Sequence, residues 1–309
     1  MNGIDGSNTT LSYNAHSLPL SILTFILSTG GAINNGLLLL AIFFDPCHNL
    51  RTPSSVLVTN LAITDLLNSL IAGYGTFVFD VYKYKHWEFN QAALLAIIVS
   101  SALATVCGTC CIMLMMAERY MAVIHPFFYK VKVKRERVKF VVALTWIYSL
   151  AFNLLPIAGV NRQLYGFILC HLHVTIPALI IGIVYPRLIV IYRKRLVLGN
   201  GIPVASRHEQ TGRERKFTSA ILAIVICFYL SFLPYYVALN IIYFHPNRHD
   251  VVIQVFIEVC FVVLLSSNMI NPIVYALRVP KYRKAIQAIL GTKDAAVGSS
   301  TLTKTRTGQ

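Results

Sequence analysis

Long stretches without a single Asp, Glu, Lys or Arg constrain this chain more than any other feature. They run over residues 6–44, 89–117, 140–161, 163–186, 217–247 and 259–277, and a seventh, 52–79, is broken only by Asp65. A bilayer core about 30 Å thick is crossed by about 20 helical residues, so each stretch holds one crossing. Only 13% of the chain is charged, against about a quarter in soluble domains, which argues against a soluble enzyme. The expected fold class is all-α: a seven-transmembrane helix bundle with a short amphipathic inner-leaflet helix. An odd number of crossings places the two ends on opposite sides.

The positive charges give the orientation. Net charge is +15, from 27 Lys+Arg against 12 Asp+Glu. All the Lys and Arg except Lys83, Lys85, Arg162 and Arg248 follow the first, third, fifth or seventh span. Basic loops stay in the cytoplasm, so the N-terminus is expected outside and the tail inside. Nucleic-acid binders gather positive charge on polar, water-facing surface. Here it lies between uncharged spans, so the expected partner is membrane lipid of the anionic inner leaflet and no nucleic acid. Asn8-Thr9-Thr10 is a glycosylation sequon on the outer side. Residues 1–17 lack a basic n-region, so the first span itself is expected to direct insertion. The seven cysteines do not read as a disulfide framework, since Cys107, Cys110, Cys111 and Cys227 lie in spans and Cys47 on the cytoplasmic side. Nothing pairs the remaining two, Cys170 and Cys260.

Four units are expected: an extracellular tail 1–17, a seven-span body 18–277, an amphipathic helix 278–290 and a disordered cytoplasmic tail 291–309. The spans are expected at about 18–44, 54–79, 90–122, 138–159, 170–195, 213–243 and 251–276. The fourth ends near Pro156, and a short outer loop follows at about 157–169. Tyr282, Ile286 and Ile289-Leu290 keep helical spacing with Lys and Arg between them, as an interfacial helix requires.

Polar groups inside a span are costly and point to function. Asp65 is the only formal charge deep within one; Asn35, Ser267, Asn268 and Asn271 are placed to meet it from the first and seventh spans. A carboxylate among neutral oxygens suits a monovalent cation, a buried water cluster or a polar knot that glues helices. Residue types alone leave these three open. Pro177, Pro234 and Pro272 each remove a backbone hydrogen bond within a span and bend it. Glu118-Arg119-Tyr120 ends the third span, and arginine favours two-pronged carboxylate pairing. Glu214, opening the sixth span, is a second candidate partner. The alternative is a surface ion pair worth under about 1 kcal/mol. His171 and His173, with His86, His245 and His249 elsewhere on the outer side, project in different directions from a helix, so no metal site is expected.

Asn35, Leu61-Ala62-Ile63-Thr64-Asp65, Glu118-Arg119-Tyr120, Trp146, Pro177 with Tyr185, Phe228 with Pro234, and Asn271-Pro272-Ile273-Val274-Tyr275 supply one landmark per span. Jointly this set resembles the rhodopsin-like (class A) G-protein-coupled receptors over about residues 18–290. The resemblance implies a plasma-membrane receptor without enzymatic activity. An extracellular ligand would bias a two-state bundle toward outward movement of the sixth helix and so reach a heterotrimeric G protein, with arrestin as a further partner. It assigns coupling and activation to Glu118, Arg119, Tyr120, Glu214, Tyr185, Tyr275 and Phe127, with Glu214 as the latch on Arg119 and Phe127 docking into Gα. It assigns a sodium-binding region to Asp65, Asn35, Ser267, Asn268 and Asn271, and hinge and toggle positions to Pro177, Thr109, Phe228, Phe232, Pro234 and Pro272. No cofactor is implied beyond Na+ at Asp65.

The chain departs from the family pattern in places. Leu94 replaces the cysteine near the start of the third span, so the outer disulfide is expected to be missing. With the short second outer loop, this resembles the melanocortin, lysolipid, cannabinoid and adenosine receptors, although Pro177 is a feature melanocortin receptors lack. Phe232 takes the toggle tryptophan's place and Gly108 that of a sodium-liganding serine. Ser101 stands where amine receptors carry aspartate, Leu265 where opsins carry the retinal lysine, and Ile97 and Ile98 where lysolipid receptors carry a basic residue. Candidate pocket residues are Ser101, Thr105, Phe232, Tyr235, Tyr236, Leu239, Glu258 and Val262. This mostly apolar set with one acid suits a lipid, a peptide or a small neutral ligand. The rival readings are a transporter or channel, for which repeats or several intramembrane charges are expected, and a receptor fold silenced at Phe232.

Overall fold

The computed structural model describes residues 4–198, 205–246 and 250–291, without the side chains of 4–17, 185, 188–189, 192–198 and 205–218. Asn8, Tyr185 and Glu214 therefore have no described side chain, and His249 and the tail expected at 291–309, from 292 onward, lie outside the described residues. The described chain is helical: α1 (Ile4–Phe44), α2 (Pro53–Leu67), a π-helical turn (Asn68–Gly73), α3 (Tyr74–Tyr84), α4 (Gln91–Ile124), α5 (Pro126–Lys132), α6 (Arg135–Asn153), α7 (Arg162–Cys170), a second π-helical turn (His171–Thr175), α8 (Ile176–Leu198), α9 (Ala205–Phe244), α10 (Val251–Arg278) and α11 (Pro280–Ile289). Because α2 continues into α3 and α7 into α8 through the π turns, the helices make seven crossings in the expected order.

Six of these crossings are apolar enough to span a bilayer by length and composition. The fourth, α6, opens on Arg135, Glu136, Arg137 and Lys139 and so carries a charged first turn. It also ends earlier than expected, at Asn153, with Leu154 as its cap. Pro156 lacks an N–H and crowds the turn before it, which stops a helix short of the proline. The expected loop at 157–169 is corrected accordingly. The connection is 154–161, and Asn161 already caps α7 by accepting from the backbone N–H groups of Gln163 (2.8 Å) and Leu164 (3.3 Å).

Neither π turn is visible in the residue pattern. The second precedes Pro177: the N–H of Ile176 reaches back to the carbonyl of His171, five residues away, and the wider turn takes up the bend a ring without a donor demands. The first is held by Ser69, whose hydroxyl donates to the Asp65 carbonyl at 2.8 Å. α1 packs closely on this turn, and side chains at Gly31 and Gly73 would overlap Ser69 and Ser28. Small residues at helix contacts let backbones approach in a membrane, where burial from water supplies little drive.

One apolar core, including Leu38, Leu57, Leu61, Ile112, Met115, Ile221, Ile224 and Tyr275, runs down the bundle. Phe43, Phe140, Ile147, Leu230 and Leu277 face outward, as the lipid-facing side of such a bundle requires. α11 folds back on the end that carries Arg51, Arg119 and Lys130, termed the basic end. Tyr282 and Ala285 of α11 are buried, while Arg283 and Lys284 are exposed, which is the expected amphipathic arrangement. Tyr282 shares a hydrogen bond with Ser55 (3.1 Å), and Lys281 donates to Thr52 (3.2 Å). Burial holds the Tyr282 phenol well above its usual range.

Candidate functional site

At the basic end α4 carries Glu118 and Arg119 into the protein, where they are 3% and 4% exposed. The surface-pair alternative is thereby removed. Arg119 grips its neighbour's carboxylate with two nitrogens: Nε donates to Glu118 Oε2 at 2.5 Å and Nη2 to Oε1. Ser54, at the start of α2, donates to Glu118 Oε1 at 2.7 Å and accepts from Arg119 Nη2 at 2.7 Å. Tyr129 of α5 donates to the same Glu118 oxygen at 2.5 Å. Burial, and next the Glu118 carboxylate, push the Tyr129 phenol far up, so it remains a donor at any physiological pH. Pairing with good geometry and added donors is what offsets the cost of burying two charges. Ser54 and Tyr129 were not singled out from the sequence. The signal available was a hydroxyl in the first turn of α2 and a tyrosine one turn into α5, and both patterns are common.

The helix holding Tyr129 starts at Pro126 and presents Phe127, 86% exposed, to the surroundings. The ion pair and the exposed aromatic are therefore joined through one short helix. Tyr120 is half-buried. Tyr275 is buried, donates to Met115 Sδ at 3.3 Å and packs on Tyr282.

Deeper in the bundle, Asp65 is 5% exposed and accepts from Asn271 Nδ2 at 2.8 Å. The other expected members take different partners. Asn35 donates to the backbone carbonyls of Asn268 (2.8 Å) and Gly31 (2.9 Å), and Ser267 to that of Leu264 (2.7 Å). Asn35 thus joins α1 to α10 through the Asn268 carbonyl, while the Ser267 hydroxyl turns back on its own helix, and neither bonds the carboxylate. A cleft next to Asp65 is lined by Asn68, Ser101, Thr105, Gly108 and Asn268. The side-chain oxygens of Asn68 and Asn271 are buried with no hydrogen-bond partner. Orphaned oxygens beside a carboxylate are a donor set that fits a small hard cation or a buried water. Asn68, one turn beyond Asp65, was missed because its direction depends on the π turn.

Ser101 and Thr105, expected in the ligand pocket, line this same cleft, so the two regions are continuous. Phe228 also lines it and stacks on Phe232, with ring centroids 5.1 Å apart. Phe232 is 3% exposed and meets Tyr235 edge-on at 5.8 Å. Thr109 is buried and donates to the Thr105 carbonyl at 2.9 Å. Pro234 and Pro272 lie inside α9 and α10. Tyr236 accepts a weak bond from Thr175 (3.4 Å), and Leu239 and Val262 are buried. Glu258, the acid of the candidate set, lies close enough to Asp80 and Lys83 to act on their charges, and Asp80 accepts from Ser21 at 2.8 Å.

His173 is buried against Phe152 and bonds Tyr148 at 2.9 Å, whereas His171 lies against Phe167 with the rings tilted by 59°, so the two do point apart. Among the described residues no three His, Cys, Asp or Glu side chains gather as a metal group, and all seven cysteines are free. Trp146 joins α6 to α2 by donating to Asn60 at 2.8 Å.

Seven crossings with a buried arginine pair at one end and a central Asp–Asn bond are matched by comparison with known proteins. The family described as 7 transmembrane receptor (rhodopsin family) matches residues 34–275. The chain belongs to that family. Human melanopsin is 26% identical over 284 residues, covering 82% of this chain and 58% of melanopsin. Rat somatostatin receptor type 4 is 24% identical over 276 residues, covering 84% and 69%. The chain thus spans less than two thirds of the melanopsin it matches. The crystal structure of squid rhodopsin superposes with a TM-score of 0.76 at 19% identity, covering 91% of this chain and 86% of that one, and shows the shared fold. These rhodopsin-family relatives are opsins and a somatostatin receptor. None belongs to the melanocortin, lysolipid, cannabinoid and adenosine group that the loop traits suggested.

Proposed function

We propose that this rhodopsin-family protein is a plasma-membrane receptor, N-terminus outside, that converts binding of an extracellular ligand into activation of a heterotrimeric G protein. The observation that carries the reading is the buried Glu118–Arg119 pair, tied by Ser54 and Tyr129 to the helix that exposes Phe127. An arginine so held is a stored contact. Outward movement of α9 would open the basic end, free Arg119 and leave Phe127 beside it for Gα. Glu214 on α9 is proposed as a second hold on Arg119, and Tyr185 and Tyr275 as side chains that turn inward in the open state. Arrestin is proposed to use the same opened face.

The melanopsin and opsin relatives do not carry over a retinal ligand, because Leu265 occupies the position of the opsin lysine and offers no amine for a Schiff base. A peptide, a lipid or a small neutral molecule is proposed as the ligand; the cleft under Ser101 and Thr105 holds only about 20 Å³, room for a water-sized species and not for the ligand itself. Kinship with the melanocortin, lysolipid, cannabinoid and adenosine group rests on Leu94, the short second outer loop and the span-seven ending from Asn271 to Arg278. Na+ is proposed at Asp65, with Asn68 and Asn271 as neutral donors.

The test is guanine-nucleotide exchange on a promiscuous Gα in membranes that contain the receptor. Arg119→Ala should abolish exchange that the wild type supports. Because that variant strands a buried carboxylate, Glu118→Gln/Arg119→Ala is run beside it and should be equally silent while folding normally. Glu214→Ala should raise basal exchange. Exchange by wild type and the double variant alike would overturn the proposal.

A further inference from the structure

A second cavity opens sideways at the basic end, between α2, α4, α5 and α6. It holds about 170 Å³, and its wall is Leu57, Leu114, Met121, Val138 and Val141, with Ala117 at its edge. A volume of this order accepts a benzene-sized apolar group. Its wall reaches the lipid side of the bundle at Val141 of α6, which is 38% exposed, on a helix whose Phe140 and Leu144 are also exposed, at 65% and 47%. Lys132 and Arg137 stand at the rim. Arg137 Nη1 donates to the Lys132 carbonyl at 3.0 Å, which draws the two residues together. Around them, residues 130–139 carry Lys130, Lys134, Arg135 and Lys139 against one acid, Glu136, already paired with Lys139 at 3.0 Å. Glu118 also lines the cavity, but Arg119, Ser54 and Tyr129 occupy its carboxylate.

We infer that this cavity binds one acidic phospholipid of the inner leaflet, a short segment of its acyl chain against the valine and leucine wall and its headgroup phosphate between Lys132 and Arg137. The occupant must be apolar at one end and anionic at the other, and must reach the mouth from within the membrane. A phospholipid meets all three demands; a soluble anion meets one. Basic groups at the membrane surface attract acidic headgroups without a cavity, so it is the apolar chamber behind the cations that marks a site. The inference uses the orientation that puts the basic end in the cytoplasm and does not depend on G-protein coupling. Since Glu118 forms part of the wall, occupancy would also bear on the ion pair.

The test titrates the full chain, purified in an uncharged detergent, with fluorescent phosphatidylinositol 4,5-bisphosphate. Lys132→Ala/Arg137→Ala, both exposed positions, should weaken binding at least tenfold. Ala117→Trp, which plugs the cavity while keeping every charge, should do the same, with Val141→Trp as an independent plug. Arg283→Ala/Lys284→Ala on α11 should stay within twofold of wild type. Wild-type affinity in both tryptophan variants would reduce the site to surface charge and overturn the inference. So would equal loss in the α11 variant, or competition by chain-free inositol trisphosphate as strong as by the lipid. Failure here leaves the nucleotide-exchange prediction untouched, because the readout is lipid binding.

Discussion

Glu118 accepts from Ser54, from two nitrogens of Arg119 and from Tyr129, all in a buried place. Hydrogen bonds to a charged group contribute about 1.5–3 kcal/mol each, and less where other donors remain. Tyr129→Phe keeps the ring and removes only the hydroxyl, so it should lower stability by about 1–2 kcal/mol and raise basal nucleotide exchange. Thermal unfolding and the exchange assay, run on one preparation, check both effects. An unchanged melting temperature would show that the bond contributes nothing. Glu118 and Arg119 were legible as a pair from their residue types. Their burial was not, since it depends on how far α2 and α5 close over the end of α4.

At the scale of elements, α7 owes its start to Asn161 and its position to Gly166. A Cβ at Gly166 would run into the Tyr243 ring of α9, and that ring also lies 5.6 Å from the Arg162 guanidinium. Gly166→Ala should therefore push α7 off α9 and cost about 1–3 kcal/mol, the range for overpacking. In a Tyr243→Ala background the same change should cost little, because the obstacle has gone. A double-mutant cycle on thermal unfolding reads the coupling, and additive effects would contradict the contact. Seven helices and their order were readable from the uncharged stretches, because lipid leaves few alternatives to a helix. The fourth span's early end and the two π turns were not readable. Pro156 announces a stop without its distance, and nothing in Asn68–Gly73 distinguishes a widened turn from an ordinary one.

For the whole molecule, the cleft around Asp65 touches the α2–π–α3 crossing, α4, α9 and α10 at once. A cation held there would stabilise the closed bundle by mass action. Melting in NaCl should exceed melting in choline chloride of equal strength by about 2–4 °C, corresponding to about 1 kcal/mol. Asp65→Asn should erase the difference, and a difference that survives it would place the ion elsewhere. By itself the sequence determined that the chain is a membrane bundle, how many times it crosses, which end is basic and which family it joins. Hydropathy, charge and single motif residues are local properties, and the bilayer converts them directly into helices and orientation. Only the tertiary structure decided what those residues touch: that Arg119 holds Glu118 in the interior, that Asn68 and not Asn35 lines the cleft with Asp65, and that a lateral cavity stands behind Lys132 and Arg137. Such contacts join residues far apart in the chain and depend on helix rotation and closeness, and a π turn or a missing Cβ shifts both without changing any pattern of charge or hydropathy.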